Sequence, residues 1–179
     1  METEPNDRDE LRVRQDASQY GGKTSFDKIG PFLESAPVNL CGMADALGLR
    51  VFEVDTFQKD EAGRIKRIFD DDEILYVIEI NDRHSENRKR FTLAHEISHY
   101  LLHRDQIGDG ITDDALYRST LSDHIETEAN RLAAQLLMPR LLVRTVFKSG
   151  VRALADLCKL FKVSDAAMRI RLTQLRLNA

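Results

Sequence analysis

Residues 91–103 of this chain read FTLAHEISHYLLH. The apolar positions recur at helical spacing, which predicts an α-helix with one buried face. His95 and His99 are four residues apart, so they lie one above the other on the same side of this helix. That spacing suits two ligands of one tetrahedral metal ion. Glu96 lies about 100° further round the axis, where it can hydrogen-bond a metal-bound water without binding the metal.

A catalytic zinc site needs a third protein ligand and an open fourth position. His103 is excluded as that ligand, because it lies eight residues beyond His95, about 12 Å along the helix axis. We interpret it as a residue that the helix dipole favours at the C-terminus. The metzincin motif is excluded too, since it requires glycine at 102 and histidine at 105, where the chain has Leu102 and Asp105.

Residues 122–137, SDHIETEANRLAAQLL, predict a second helix that can supply the missing ligand. On a helical projection Glu126 lies on the inner side of the apolar stripe, whereas Glu128 lies at the opposite margin. We therefore predict Glu126 as the third ligand and interpret Glu128 as a solvated charge near Arg131. Asn130, one turn after Glu126, suits a hydrogen bond that orients a ligand.

Together these residues predict hydrolysis of a peptide bond. A zinc ion would lower the pKa of its water to about 7, and Glu96 would take the proton and return it to the leaving amine. Mn²⁺ or Fe²⁺ can also bind two histidines and a carboxylate. The candidate hydrogen-bond donors to the developing oxyanion are Tyr100, His103, Tyr117 and Arg118.

The rest of the sequence predicts an α+β fold. Asn39 caps a short helix that Gly48 ends, and β-rich runs follow at 49–54, 64–69 and 74–80. Because aspartates 70–72 suit a tight turn, we expect a small three-stranded antiparallel sheet packed on a zincin-like helical core. Residues 81–90 are interpreted as a solvated loop. The predicted helices that follow span 91–103, 123–137, 140–148, 151–161 and 165–177.

The chain divides into three predicted parts. Residues 1–25 hold few large apolar groups and predict a flexible N-terminal tail. Residues 26–139 are the expected metallopeptidase core, and residues 140–179 are a helical lobe packed on it. The connection at 104–120 is either an active-site flap or an ordinary surface loop.

Composition restricts where the protein works. Its apolar runs are far shorter than the ~20 residues that cross a bilayer. The acidic N-terminus is unlike a secretory signal, so we expect a cytoplasmic protein without membrane contact. Cys41 and Cys158 form no paired motif and are expected to be reduced thiols. The sequence carries no indication of an oligomeric state.

The net charge of −4 is distributed unevenly along the chain. Residues 140–179 carry nine basic and two acidic side chains, which gives this lobe a charge of +7 and the remainder −11. Such a basic lobe can dock either an acidic protein or a nucleic acid.

Three stretches resemble the ImmA/IrrE family of metallopeptidases: Ile80-Asn81, residues 90–103 and residues 126–139, whose Leu-Leu-Met-Pro ending is distinctive. The resemblance covers residues 37–177 and implies a gluzincin-like site, in which His95, His99 and Glu126 hold zinc and Glu96 is catalytic. It also implies a substrate, a partner helix-turn-helix repressor whose cleavage relieves repression during stress or mobile-element induction. Some members of this family belong instead to toxin–antitoxin-like gene pairs.

Residues 157–172 predict a helix, a tight turn and a second helix capped by Ser164, which resembles a helix-turn-helix. Lys162 stands where glycine is commonest and Cys158 where a small alanine is usual. In the resembling family such helices usually pack against the protease core, and we expect the same here. Arg169 and Arg171 are the candidate contacts to DNA or a partner. The alternative function is a DNA-binding or partner-binding regulator, or a toxin–antitoxin component, with a non-catalytic metal site.

Overall fold

A computed structural model of the protein describes residues 24–57, 61–70, 73–108 and 120–177. Three strands form one sheet: β1 (Leu49–Val54), β2 (Gly63–Asp70) and β3 (Glu73–Asn81), in the order β1-β3-β2. β2 and β3 pair as the predicted antiparallel hairpin. β1 runs parallel to β3, so the prediction of an antiparallel sheet was wrong and the sheet is mixed.

The mixed sheet follows from how the chain passes from β1 to β2. Asn81, which is buried at the end of β3, holds the end of that connection. Its side-chain amide donates to the carbonyl of Glu61 at 2.9 Å, and its backbone N–H donates to Ala62 at 2.9 Å. β1 and β2 therefore occupy opposite edges of the sheet with β3 between them. Alternating hydrophobicity cannot reveal this, because it is the same for parallel and antiparallel pairs.

The helices follow the sequence signals, but two begin earlier than predicted, at residues 86 and 120, one begins later, at residue 154, and the last ends at residue 174. They are α1 (Ser25–Ile29), α2 (Leu40–Leu47), α3 (Glu86–His103), α4 (Thr120–Leu137), α5 (Arg140–Lys148), α6 (Leu154–Phe161) and α7 (Asp165–Gln174). The side chain of Asn39 accepts from the N–H of Gly42 at 3.0 Å, and Gly48 ends α2 at φ 77°. No helix in these described ranges is both long enough and apolar enough to cross a membrane.

Residues 86–90 were predicted as loop and are the first turn of α3. Charged residues in this turn are good helix formers, and the opposite charges of Glu53 and Glu86 hold Lys89 at 2.7 and 3.0 Å. α1 was not predicted; Thr24 and Asp27 cap it reciprocally. Of the expected tail, residues 1–23 lie outside the described residues.

The C-terminal helices share one hydrophobic core with the sheet and α3. Buried residues of α6 and α7, among them Leu157, Phe161 and Met168, belong to the same cluster as Ile78 and Ile97. At the turn between these two helices Lys162 has φ 52°, the left-handed conformation that favours glycine. The tight turn is therefore formed with Lys162 at the position where glycine is commonest.

Arg171 lies inside this lobe and is only 7% exposed. Its Nε donates to the carbonyl of Met138 at 2.9 Å, next to the end of α4. This placement differs from the expectation of a DNA or partner contact, because the guanidinium is not on the surface. Arg169, two residues earlier on the same helix, is exposed.

We expect Arg171→Ala to lower the free energy of unfolding by about 1–3 kcal/mol, because it leaves the buried Met138 carbonyl without this donor. Arg169→Ala, the matched control, should change it by less than about 0.5 kcal/mol. Urea unfolding followed by circular dichroism measures both. Equal stability of the two variants would contradict a packing role for Arg171.

Gly63 lies where the first residue of β2 meets α3. A Cβ at this position would lie 2.4 Å from Cγ2 of Thr92 and 2.7 Å from the carbonyl oxygen of Glu79. The second neighbour is backbone in the central strand, which cannot move aside alone. Glycine therefore lets the strand approach the helix that carries both histidines.

We expect Gly63→Ala to cost about 1–3 kcal/mol of stability through overpacking. Gly30→Ala is the matched control, because Gly30 has helical dihedrals and nothing lies within 4 Å of its added Cβ. Denaturant titration of the two variants is the measurement. A Gly63→Ala protein as stable as the control would show that strand and helix can separate without cost.

Candidate metal centre

Three potential ligand atoms converge between α3 and α4. Nε2 of His95 and Nε2 of His99 are 2.9 Å apart, and each lies 3.2 Å from a carboxylate oxygen of Glu126. Two histidines and a carboxylate are the donors that zinc accepts. Metal–ligand bonds of 2.0–2.1 Å in a tetrahedron put neighbouring ligand atoms about 3.3 Å apart. The imidazole nitrogens approach different carboxylate oxygens of Glu126, Oε2 for His95 and Oε1 for His99, at separations close to this value.

The helices reach this geometry because both carry small residues near the ligands. Ala94 and Ser98 on α3, and Ala129 and Ala133 on α4, are fully buried. Small buried side chains let two helix backbones approach closely. A carboxylate from α4 can then reach two imidazoles on α3.

Each of the two histidines also has a partner at its other ring nitrogen. Nδ1 of His95 lies 3.1 Å from Oδ1 of Asn130, the residue predicted to orient a ligand. Nδ1 of His99 lies 3.3 Å from Nδ1 of His103. Nε2 of His103 in turn lies 3.2 Å from Oε2 of Glu128. The sequence interpretation of Glu128 as a solvated charge missed this contact.

The electrostatics keep the potential carboxylate ligand ionised. Hydrogen bonds from His95 and His99 hold the pKa of Glu126 well below its usual range. Burial works against a charge on His95, but the hydrogen bond to Glu126 and the charge of Glu96 raise its pKa overall. Since ligands bind metal in their deprotonated forms, a metal entering this site would displace protons.

Glu96 lies beside the three converging side chains but outside their group. It is only 7% exposed, and burial raises its pKa above the usual range, while the neighbouring His95 and His99 oppose that shift. The backbone of Ile65 in β2 hydrogen-bonds its carboxylate. A buried carboxylate with a raised pKa is suited to accepting and returning a proton near neutral pH.

A cleft of about 550 Å³ opens beside these residues. Its walls come from the start of β2, from α3, from α4 and from the turn between α6 and α7. The lining residues are Ala62, Gly63, Ser85, Asn87, Arg88, Phe91, Thr92, His95, Glu96, Glu126, Asn130, Leu137, Val163, Ser164 and Ala167. The C-terminal lobe therefore forms one wall of the candidate site.

The strand beside the cleft is the edge strand of the sheet. Among residues 24–57, 61–70, 73–108 and 120–177, the one strand that pairs with β2 is β3, and the N–H of Arg67 points to the other side, where it donates to the carbonyl of Gly108 at 3.0 Å. Since neighbouring residues alternate in direction, Gly63 and Ile65 also turn their backbone groups outward. The outward groups of this strand face the cleft near Gly63.

The expected oxyanion donors are not at the cleft among the described residues. The hydroxyl of Tyr100 lies on the core side, 3.5 Å from the carbonyl of Leu47. His103 is buried behind His99. The helix turns both side chains away from the opening, although they are near the two histidines in sequence. Tyr117 and Arg118 lie outside the described residues.

Two histidines, one helix turn apart, and a carboxylate from the next helix form a candidate metal centre of the His-Glu-x-x-His metallopeptidase class. Residues 44–173 match the family described as the IrrE N-terminal-like domain, Peptidase M78. The match covers most of the chain, so the chain belongs to this family, and the resemblance to ImmA/IrrE proteins is confirmed. A metallopeptidase family implies a bound metal.

Two similar curated proteins are each described as "Radiation response metalloprotease IrrE". The protein of Deinococcus radiodurans is 40% identical over 103 residues, which are 55% of this chain and 31% of its own length. The protein of Deinococcus deserti is 45% identical over 94 residues, which are 50% of this chain and 33% of its own. The chain thus spans about a third of the length of these relatives.

A solved structure described as a Mycobacterium tuberculosis transcriptional regulator has a similar fold. It aligns with 92% of this chain and 46% of its own, with a TM-score of 0.52 and 18% sequence identity. At this identity the likeness shows a shared fold alone.

Proposed function

We propose that the protein is a zinc-dependent endopeptidase. The observation that carries the proposal is the convergence of one ligand atom each from His95, His99 and Glu126 within 4.8 Å of one another, beside the buried carboxylate of Glu96. Zinc bound by the three side chains would lower the pKa of a water to about 7 and polarise the scissile carbonyl. Mn²⁺ or Fe²⁺ could take the same ligands, and metal analysis of the purified protein distinguishes the three.

In this mechanism Glu96 moves the proton. Its carboxylate accepts a proton from the attacking water as the new carbon–oxygen bond forms, and donates it to the amine nitrogen as the carbon–nitrogen bond breaks. Asn130 fixes the ring of His95 through its Nδ1. The hydrogen bond from Ile65 keeps the Glu96 carboxylate in one orientation.

The outer edge of β2, to which the described residues add no further strand, supports an extended polypeptide as substrate. Peptides commonly bind by adding a strand to an exposed sheet edge, where main-chain hydrogen bonds hold them. The outward backbone groups at Gly63 lie in the same cleft as His95 and Glu96. A strand bound there would run past the reacting groups, with the turn at Ser164 as the opposite wall.

We propose a helix-turn-helix repressor, cleaved in the cytoplasm, as the substrate. The support is membership of a family whose curated relatives are named radiation response metalloproteases, together with the basic C-terminal lobe. Cleavage would relieve repression during stress or mobile-element induction. The rival is a DNA-binding or partner-binding regulator, including a toxin–antitoxin component, whose metal site is not catalytic.

The test is to incubate the purified, zinc-loaded protein with the repressor encoded beside its gene and to identify fragments by mass spectrometry. We expect one discrete cleavage that a chelator abolishes and added zinc restores. If the zinc-loaded protein leaves the repressor intact and instead binds DNA, with affinity lost at high salt and in Arg169→Ala, the regulator is favoured.

A further inference from the structure

The geometry points to His103 and Glu128 as positioning residues for His99: together they hold its ring in the tautomer that can bind metal. This inference rests on the proposed function, because it concerns one of the proposed ligands. The structural basis is a chain of contacts that runs away from the cleft. Nδ1 of His99 meets Nδ1 of His103 at 3.3 Å, and Nε2 of His103 meets Oε2 of Glu128 at 3.2 Å.

Only one placement of the hydrogens along this chain of contacts leaves Nε2 of His99 able to bind a metal. A neutral imidazole has one N–H donor and one lone-pair acceptor. The carboxylate of Glu128 only accepts, so Nε2 of His103 carries the hydrogen and Nδ1 of His103 is the acceptor. His99 must then donate from Nδ1, so its neutral form has the lone pair on Nε2 and can give up the hydrogen bond to Glu126 when it binds a metal. That nitrogen is the one that faces His95 and Glu126.

The opposite arrangement would disable the ligand. If His103 carried its hydrogen on Nδ1, it would donate to His99, whose own hydrogen would then lie on Nε2. The hydrogen on Nε2 of His99 would then point between His95 and Glu126 and take the place of the lone pair that a metal needs. Glu128 selects against this arrangement because it offers no hydrogen to His103.

Burial makes the arrangement of His103 specific. This residue is 7% exposed, and the described atoms within hydrogen-bond distance of its ring belong to His99 and Glu128. The same oxygen of Glu128 is also contacted by the exposed His124, whose Nδ1 lies 3.4 Å from Oε2. Partners of this kind behind a ligand typically contribute ten- to a hundredfold to metal affinity.

The first measurement is zinc affinity by competition with a chromophoric chelator. His103→Phe, which removes the acceptor, and Glu128→Ala, which removes the tautomer selection, should each weaken binding by about 10–100-fold. The Glu128 side chain is 48% exposed, so this variant keeps the fold even where His103→Phe does not. His124→Ala is the matched control, since it removes the other imidazole on Glu128, and should bind zinc within about twofold of the wild type.

The second measurement reads the tautomers directly. In metal-free protein with ¹⁵N-labelled histidine, where no metal fixes the tautomer, two-bond ¹H–¹⁵N spectra should give His99 with its hydrogen on Nδ1 and His103 with its hydrogen on Nε2. A merely structural role for His103 would not fix this pattern. A hydrogen on Nδ1 of His103, or wild-type zinc affinity in folded Glu128→Ala, overturns the inference.

The two failures are distinguishable. The proposed metal centre is wrong if the wild-type protein binds no zinc, or if the His99→Ala variant binds zinc as tightly as the wild type does. The inference is then wrong as well. If the wild type binds zinc and cleaves protein while Glu128→Ala binds it equally tightly, the proposed function stands and the positioning role alone is wrong.

Discussion

Glu96→Gln is expected to lower the rate of peptide cleavage by about 10²–10⁴-fold, the contribution typical of a general acid–base group. The amide has the same shape, and its oxygen can keep the hydrogen bond from Ile65. It cannot accept a proton from water. Glu96 also lies outside the group of three converging side chains, so the variant should keep its metal.

The measurement pairs single-turnover cleavage of the substrate with metal content for wild type and variant. Glu86→Gln is the matched control, because Glu86 is an exposed glutamate in the first turn of the same helix. It should cleave at the wild-type rate. Equal rates for Glu96→Gln and Glu86→Gln would rule out Glu96 as the general base.

Glu126→Ala is expected to weaken zinc binding by more than 100-fold, beyond the effect of removing a partner behind a ligand. It removes one of the three converging donors and leaves His95 and His99 without their carboxylate. Zinc at a hundred times its Kd stabilises a folded protein by about 2.7 kcal/mol. For a chain of this size that raises Tm by about 5–10 °C.

Thermal unfolding with zinc and with chelator measures this shift. The wild type should lose it when the chelator is added, and Glu126→Ala should lack it in both conditions. Asp123→Ala removes the same charge from an exposed position of α4 and should keep the full shift. A Glu126→Ala protein that zinc stabilises as much as the wild type would mean that the third ligand lies elsewhere.

The convergence of His95, His99 and Glu126 could be predicted because it depends on the repeat of the α-helix. A helix turns 100° per residue, so the spacing of His95 and His99, and the position of Glu126 on the inner side of α4, follow from the sequence. The hairpin of β2 and β3 and the cap at Asn39 depend on local signals in the same way. These are the parts of the structure where residues near in sequence decide the outcome.

The remaining features depend on how elements meet in space. The parallel pairing of β1 with β3 requires a connection held by Asn81, which the strand pattern does not encode. The contact of His103 with Glu128 depends on the axial alignment of α3 and α4. The first turn of α3 was not predicted, because one of the two carboxylates that stabilise Lys89 belongs to Glu53 in β1, which is distant in sequence.

The carbonyl of Gly108 already occupies the outward N–H of Arg67, so the available edge of β2 is short. Within the part of the chain that the structure describes, the outward backbone groups left for a guest strand are those around Gly63 and Ile65, and the backbone of Ile65 also hydrogen-bonds Glu96. So short a ladder gives little affinity, and isolated peptides should be poor competitive inhibitors. Under the proposed peptidase function, discrimination between cellular proteins is expected to come from surfaces of a folded target that contact this protein away from the scissile bond.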